Sequence, residues 1–336
     1  MGKYSITRNY NFVKVKPADY SILDRSGVLY QPKHDGISAE IFVEDKNDIS
    51  IIGKGITKGK DSDFTRKFPE LVAEIKRLDL PEQTDFLSEV IVINKKTGIE
   101  ECGLATGRSG REEDIPAYAK MFPALGIIHD VVSVDGQNVS KIPYLNRLGA
   151  LRGHIRGSNI LSIIKNTANG KEEWQRVESL KLEGIVIRDP NAILGQGVWK
   201  LKREITEDVY CKGEFEISKS ETYSNMQYKV DGKIKKGVFA NLKCYQLTES
   251  GREINVCDVG GGFSYKDRID IQSAIDRGIV TAKNPLVLEV KANSRYENGK
   301  LRGPNFLRVR FDKKWKECII YNSEVIPEKG IEDYWS

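Results

Sequence analysis

The stretch "GVLYQPKHDGISAEIFVED", residues 27–45, decides how the chain is read. Val28, Leu29 and Tyr30 form an apolar run. Ala39, Ile41 and Val43 then alternate with Ser38, Glu40 and Phe42, the two-residue period of a half-buried strand. Asp35 and Gly36 supply a tight turn between them, so the segment predicts strand, turn, strand. One lysine, Lys33, stands at the mouth of that turn. Alone it suits an ordinary surface position as well as a nucleophile held on a stiff scaffold.

The chain has 336 residues, enough for two domains of ordinary size. Its 39% hydrophobic and 30% charged content fits a folded globular chain rather than a disordered one. No apolar run approaches the roughly 20 residues of a membrane helix, and "MGKYSITRNYNF" is too polar for a signal peptide. The Met-Gly start lacks the Ser or Thr of a myristoylation signal, since Ile6 stands there. A cytoplasmic protein without a membrane partner is expected. Five scattered cysteines without a C-x-x-C argue for reduced thiols, and against a disulfide framework or a zinc site. Three histidines exclude a His-rich metal centre.

Net charge is +5, but the cations are concentrated. Residues 136–171 hold six Lys/Arg and no acid, and residues 300–316 hold seven against Asp312 alone. Such runs suit phosphate-facing surfaces, although solvated faces look the same.

Helical spacing of Leu71, Val72, Ile75 and Leu78 predicts a helix over 68–78, with Pro69 in its first turn. "YLNRLGALRGHI" (144–155) places Tyr144, Leu148, Leu151 and Ile155 on one apolar face and leaves Arg147 off it. "DFLSEVIVINKKTG", "LEGIVIRDP" and "GVWKLKRE" predict strands. Beyond about residue 205 short strands follow one another. One helix interrupts them, started by Ser264 with Asp267 three residues on and closed by Gly278. Five or six strands with one helix fit a small OB-type barrel. The expected fold class is α+β: antiparallel sheets with flanking helices over 1–205, then a β-barrel over 206–336.

Five chemistry-bearing elements occur in order. They are Lys33-His34-Asp35-Gly36; Glu89 within "LSEVIVI"; Glu183 opening "EGIVIR"; Lys200 and Lys202 on one strand face; and Arg308, Arg310, Asp312 and Lys313 in "LRVRFDKK". Two strand carboxylates can hold a hard divalent metal. Three lysines near one pocket would lower one another's pKa and leave one nucleophilic. The arginines and lysines can stabilise charge on a leaving pyrophosphate. Together they form a set for handling a nucleoside triphosphate without a glycine-rich P-loop.

In this order and spacing the chain resembles the ATP-dependent DNA ligases of the covalent nucleotidyltransferase superfamily, specifically the small two-domain ligases of bacteriophages and other viruses. "QPKHDG" is similar to motif I, "SEVIV" to motif III, "HDVVSVDG" to motif IIIa, "EGIVIR" to motif IV, "WKLK" to motif V and "RVRFDKK" to motif VI. The resemblance covers roughly residues 28 to 318.

It implies an adenylation domain followed by an OB-fold domain, with ATP and Mg2+ (or Mn2+) as cofactors. It further implies that Lys33 attacks the ATP α-phosphorus to form a lysyl–AMP, which then activates a 5′-phosphate at a nick in duplex DNA. Gln31, Asp35, Gly36, Lys54, Glu89, His129, Glu183, Lys200 and Lys202 would contact the nucleotide. Glu89 and Glu183 would hold the metal, Lys200 and Lys202 the α-phosphate, and Arg310, Asp312 and Lys313 the pyrophosphate. Arg147, Arg152, Arg302 and Arg308 of the basic segments, and Arg108 and Arg111 of a loop "GLATGRSGREED" (103–114), are expected on nucleic acid. A monomer is expected. Only 32 residues precede Lys33, so DNA encirclement is expected from the two domains alone.

Three positions depart from the family pattern. Ser38 replaces the usual arginine and keeps RNA-containing nicks open as substrates. His129 takes the place of the adenine-stacking Phe or Tyr. Gly53-Lys54 replaces a Ser-Arg pair, keeping charge but losing bidentate geometry. The alternatives are an RNA ligase, an mRNA-capping guanylyltransferase and an inactive nicked-DNA-binding protein.

Overall fold

The computed structural model describes residues 13–14, 20–54, 61–95, 98–100, 102–109, 112–180, 182–217, 220–296 and 298–320. The chain divides into two compact units, with the boundary between Lys202 and Arg203. The fold is α+β with mostly antiparallel sheets. No helix among the described residues is long and apolar enough to cross a membrane.

The first unit is built on two sheets. Its principal strands are β1 (Leu29–Lys33), β2 (Ile37–Val43), β3 (Ile49–Lys54), β4 (Thr84–Asn94), β5 (Ala124–Val134), β6 (Gly184–Arg188) and β7 (Val198–Lys202). In the smaller sheet β7–β6–β1 pair antiparallel, with the short strand Val13–Lys14 added to β7 in parallel, and the larger is centred on β5–β4–β2–β3. The predicted turn at Asp35-Gly36 therefore carries the chain from one sheet to the other. Alternation along β2 buries Ala39, Ile41 and Val43 with Phe86 and Val90 of β4. The same core takes Leu71 and Ile75 of helix α1 (Pro69–Leu78) and Leu148 and Leu151 of α2 (Tyr144–Arg152). Under the smaller sheet, Tyr30, Ile185, Ile187 and Leu201 pack on Trp174, Val177 and Leu180 of α3 (Gly170–Leu180).

The second unit is an OB-fold built on a six-stranded sheet. Its principal strands are β8 (Ile205–Ile217), β9 (Phe239–Thr248), β10 (Glu253–Val259), β11 (Leu286–Ala292) and β12 (Asn305–Val309), in the order β10–β9–β8–β11–β12. Val209, Leu242, Val256, Leu288 and Phe306 share its core with Ile271 of α4 (Tyr265–Asp276). Helix α4 starts with the predicted capping box: Ser264 Oγ accepts from Asp267 N, and the Asp267 carboxylate accepts from Ser264 N.

Candidate active site

Register in the smaller sheet assembles the site. Gly184 lies opposite Lys33 on one side and Lys202 on the other, and Val186 lies opposite Gln31 and Lys200. Residues paired across a sheet share a face. Gln31, Lys33, Lys200 and Lys202 therefore line one face, while Tyr30, Ile185, Ile187 and Leu201 fill the core beneath the other. Glu183, immediately before β6, accepts from Lys33 Nζ and, at 2.5 Å, from Lys202 Nζ. A Cβ on Gly184 would stand 2.2 Å from the Leu201 carbonyl oxygen, so only glycine lets the strands close beside Glu183.

The turn after Lys33 is held from three sides. Glu89 Oε1 accepts from Gly36 N at 3.1 Å. The buried Glu100 carboxylate accepts from His34 Nδ1–H at 2.6 Å and from Asp35 N at 2.7 Å. Cys102 Sγ donates to the Gly36 carbonyl at 3.2 Å. A side chain at Gly36 would drive its Cβ to 2.3 Å from the Val90 carbonyl oxygen. His34 is thus buried, because Glu100 gives its ring a partner, whereas His154 is exposed.

Electrostatics correct one expectation. Burial pushes the Lys33 ammonium down, but Glu183, Glu89 and Asp35 outweigh it, and the pKa is raised rather than lowered by lysine neighbours. Burial is also the main cause at Glu89, reinforced by the Glu183 charge against the opposing pull of Lys33, and lifts its carboxyl to about 7. A carboxyl raised in the folded state weakens the fold as pH climbs from its ordinary 4.5 through about 7. Glu89→Gln still accepts from Gly36 but never ionises. Its melting temperature is expected to match the parent's near pH 5 and exceed it at pH 8, and equal melting at both pH values would contradict the assignment.

His129 is the extra residue of a bulge in β5: Leu87 pairs with Asp130 and Ser88 with Ile128, leaving His129 between them. Burial, then the Arg188 cation, hold its imidazole down to about 3, a neutral ring. Beside it, the fully buried Asp130 accepts from Arg147 Nε at 2.7 Å and Nη2 at 3.1 Å, and from Arg188 Nη1 at 2.9 Å. Both guanidiniums stack near the Tyr144 ring, at 5.6 Å and 4.8 Å. Tyr144 Oη in turn accepts from Gln31 Nε2 at 2.5 Å.

Two predicted nucleic-acid residues are corrected here. Arg147 is buried, because Asp130 and the Ile142 and Ala192 carbonyls satisfy its guanidinium inside the fold. Arg108 is buried too, donating to Glu70 and to the Lys67 and Phe122 carbonyls and stacking on Phe68. Neither reaches a phosphate surface. Arg152 is exposed, and Arg302 is half-buried. Arg111 and the side chain of Lys54 lie outside the described residues.

In the second unit, Arg308, Arg310, Asp312 and Lys313 gather around β8 and β11. Arg310 donates from Nε and Nη2 to Asp312, both at 2.9 Å, and from Nη1 to Asp208 at 3.1 Å and Glu289 at 3.2 Å. Arg308 Nε donates to Glu289 at 2.6 Å and Lys313 Nζ to Asp208 at 2.5 Å.

Comparison with known proteins now decides the family: the description "ATP dependent DNA ligase domain" matches residues 14–203. The chain belongs to the ATP-dependent DNA ligase family. The chain is 23% identical over 296 residues to DNA ligase 1 of Methanosarcina barkeri, covering 75% of this chain and 53% of that protein. It is 26% identical over 183 residues to a probable DNA ligase of Dictyoglomus turgidum, covering 52% and 30%. It thus spans about half the length of the first of these relatives and less of the second. Among solved structures, a Lig E DNA ligase superposes with a TM-score of 0.55 at 16% identity, covering 87% of this chain and 96% of that one, which shows the shared fold.

Sequence reasoning missed Glu100, Asp130, Tyr144, Arg188, Asp208 and Glu289. Asp130 carried a readable signal: a lone acid in the apolar run "GIIHDVVSV" must find a cation if the strand is buried.

Proposed function

We propose that the ligase seals 5′-phosphate/3′-OH nicks in duplex DNA with ATP, through an AMP carried on Lys33. The observation that carries this is the row Lys33–Gly184–Lys202 with the Glu183 carboxylate between both ammoniums. Residues 1–205 are assigned to adenylation and 206–336 to the OB-fold partner.

The Lys33 ammonium must lose its proton to solvent before it can attack, and Glu183 Oε2, hydrogen-bonded to Nζ, would hold the amine in position. A bond then forms from Nζ to the α-phosphorus as the bond to the bridging oxygen breaks, and pyrophosphate leaves with the electron pair. Lys200 and Lys202 steady the α-phosphate; Arg310, Asp312 and Lys313 act on the pyrophosphate. Asp35 and Gly36 shape the turn, and His129 stacks on the base, with Lys54 nearby in sequence register to the phosphates. AMP passes next to the 5′-phosphate of the nick, and the 3′-OH displaces it. Arg111, Arg152, Arg302 and Arg308 would grip the duplex backbone.

Glu89 and Glu183 fit a divalent cation by the chemistry of their donors, two carboxylates whose charges both act on Lys33 and whose hard oxygens are the kind such a cation takes. Bound Mg2+ or Mn2+ would supply Lewis-acid charge to the phosphates. Adenine selection rests on Gln31. Asn166 Nδ2 donates to the Ile164 carbonyl, which turns Asn166 Oδ1 toward Gln31 Nε2 at 2.8 Å and fixes the Gln31 amide. Among the described residues no donor reaches the buried Gln31 Oε1. The 6-amino group of adenine can fill that need, whereas guanine presents an acceptor at the same position.

The proposal includes a monomer acting in the cytoplasm. A labelled nicked duplex with Mg2+ is expected to be sealed with ATP and not with GTP. Nicks with a ribonucleotide 3′ end, tested in parallel, define how far Ser38 widens the substrate range. Labelling by GTP in preference to ATP would overturn the assignment.

A further inference from the structure

The cations around Arg310 are fully balanced. Arg308, Arg310 and Lys313 face Asp208, Glu289 and Asp312, three charges against three. Asp312 is two-thirds exposed, whereas Asp208 and Glu289 are 14% and 16% exposed. Asp208 and Glu289 are also direct cross-strand partners of β8 and β11. Like charges set opposite each other destabilise a sheet, so this pair depends on the cations that bridge it. Arg310 Nη1 spans the two carboxylates, Lys313 holds Asp208, and Arg308 holds Glu289. Nε and both Nη atoms of Arg310 are engaged by carboxylates.

We infer that Asp208 and Glu289 are positioning residues that occupy Arg310 and Lys313 in place of phosphate, and so hold down the affinity of these cations for a pyrophosphate group. This rests on the proposed role of Arg310 and Lys313 at the pyrophosphate. A polyphosphate must displace the two carboxylates from the cations, and the carboxylates return when pyrophosphate departs. The exchange keeps the product from lingering and keeps the cations paired between turnovers.

The test uses the full chain and inorganic pyrophosphate with Mg2+, followed by calorimetry and by inhibition of adenylate formation. Asp208→Asn is expected to bind pyrophosphate roughly tenfold more tightly, to lower the KM for ATP and to show product inhibition strengthened by a similar factor, without a higher kcat. Glu289→Gln is expected to act in the same direction, and it serves if the first variant does not fold. A gain of affinity cannot come from damaged structure. Unchanged or weaker pyrophosphate binding in both variants would overturn the inference. Arg310→Ala separates it from the underlying reading: if that variant binds pyrophosphate as well as the parent, the role of Arg310 itself is wrong.

Discussion

Replacing Lys33 with alanine is expected to abolish adenylate formation while leaving the fold and the binding of nicked duplex in place. Among the described residues the side chain is part of no apolar core, and Nζ donates to Glu183, which keeps Lys202. Folding therefore changes little. Chemically the loss is complete, because no other amine stands at the end of β1 beside the turn fixed by Glu89 and Glu100. A fall on the order of 10⁴-fold or more in nick sealing from ATP is expected. Supplying DNA already carrying a 5′-adenylate is the discriminating measurement. Sealing of that substrate should survive in part, since the last step does not need the Lys33 nucleophile. If the variant still took up AMP from ATP at the parental rate, another residue would be the nucleophile.

Asp130→Ala is expected to have the largest effect on stability. One carboxylate is enclosed between two buried guanidiniums, and its removal takes from Arg147 and Arg188 the acceptor that both donate to. Breaking one partner out of a buried ion network costs about 3–5 kcal/mol. The damage falls on the first unit, so it should show in urea unfolding as an earlier transition of that unit, with the OB-fold transition unmoved. Adenylate formation should fall as well, because Tyr144 and Gln31 are anchored through this network. A shift below about 1 kcal/mol would contradict the account of the triad.

Much of the architecture was legible because it follows from short-range pattern. The helix expected over 68–78 occupies Pro69–Leu78, and the Ser264–Asp267 start of the later helix carries both of its capping bonds. Period-two alternation placed Lys200 and Lys202 on one face. What stayed hidden depends on distant partners. Helical spacing counts apolar residues, so Arg147 fell off the buried face; its partner Asp130 sits on a strand and turns that position inward. Arg108 read as a loop cation until Glu70 and two carbonyls enclosed it. His34 needed Glu100, sixty-six residues away, to be buried. The Lys33 pKa was misjudged for the same reason. Its lysine neighbours were visible in sequence, but the carboxylate lying between them acts more strongly.

The central claim concerns one bond, between AMP and Nζ of Lys33. Incubating the full chain with ATP and Mg2+, mapping the product by peptide mass spectrometry and then chasing with nicked duplex tests it most directly. AMP should appear on the peptide containing Lys33 and disappear from it as the nick closes. AMP on a different residue, or strand sealing by a protein that never carries the nucleotide at Lys33, would contradict the account.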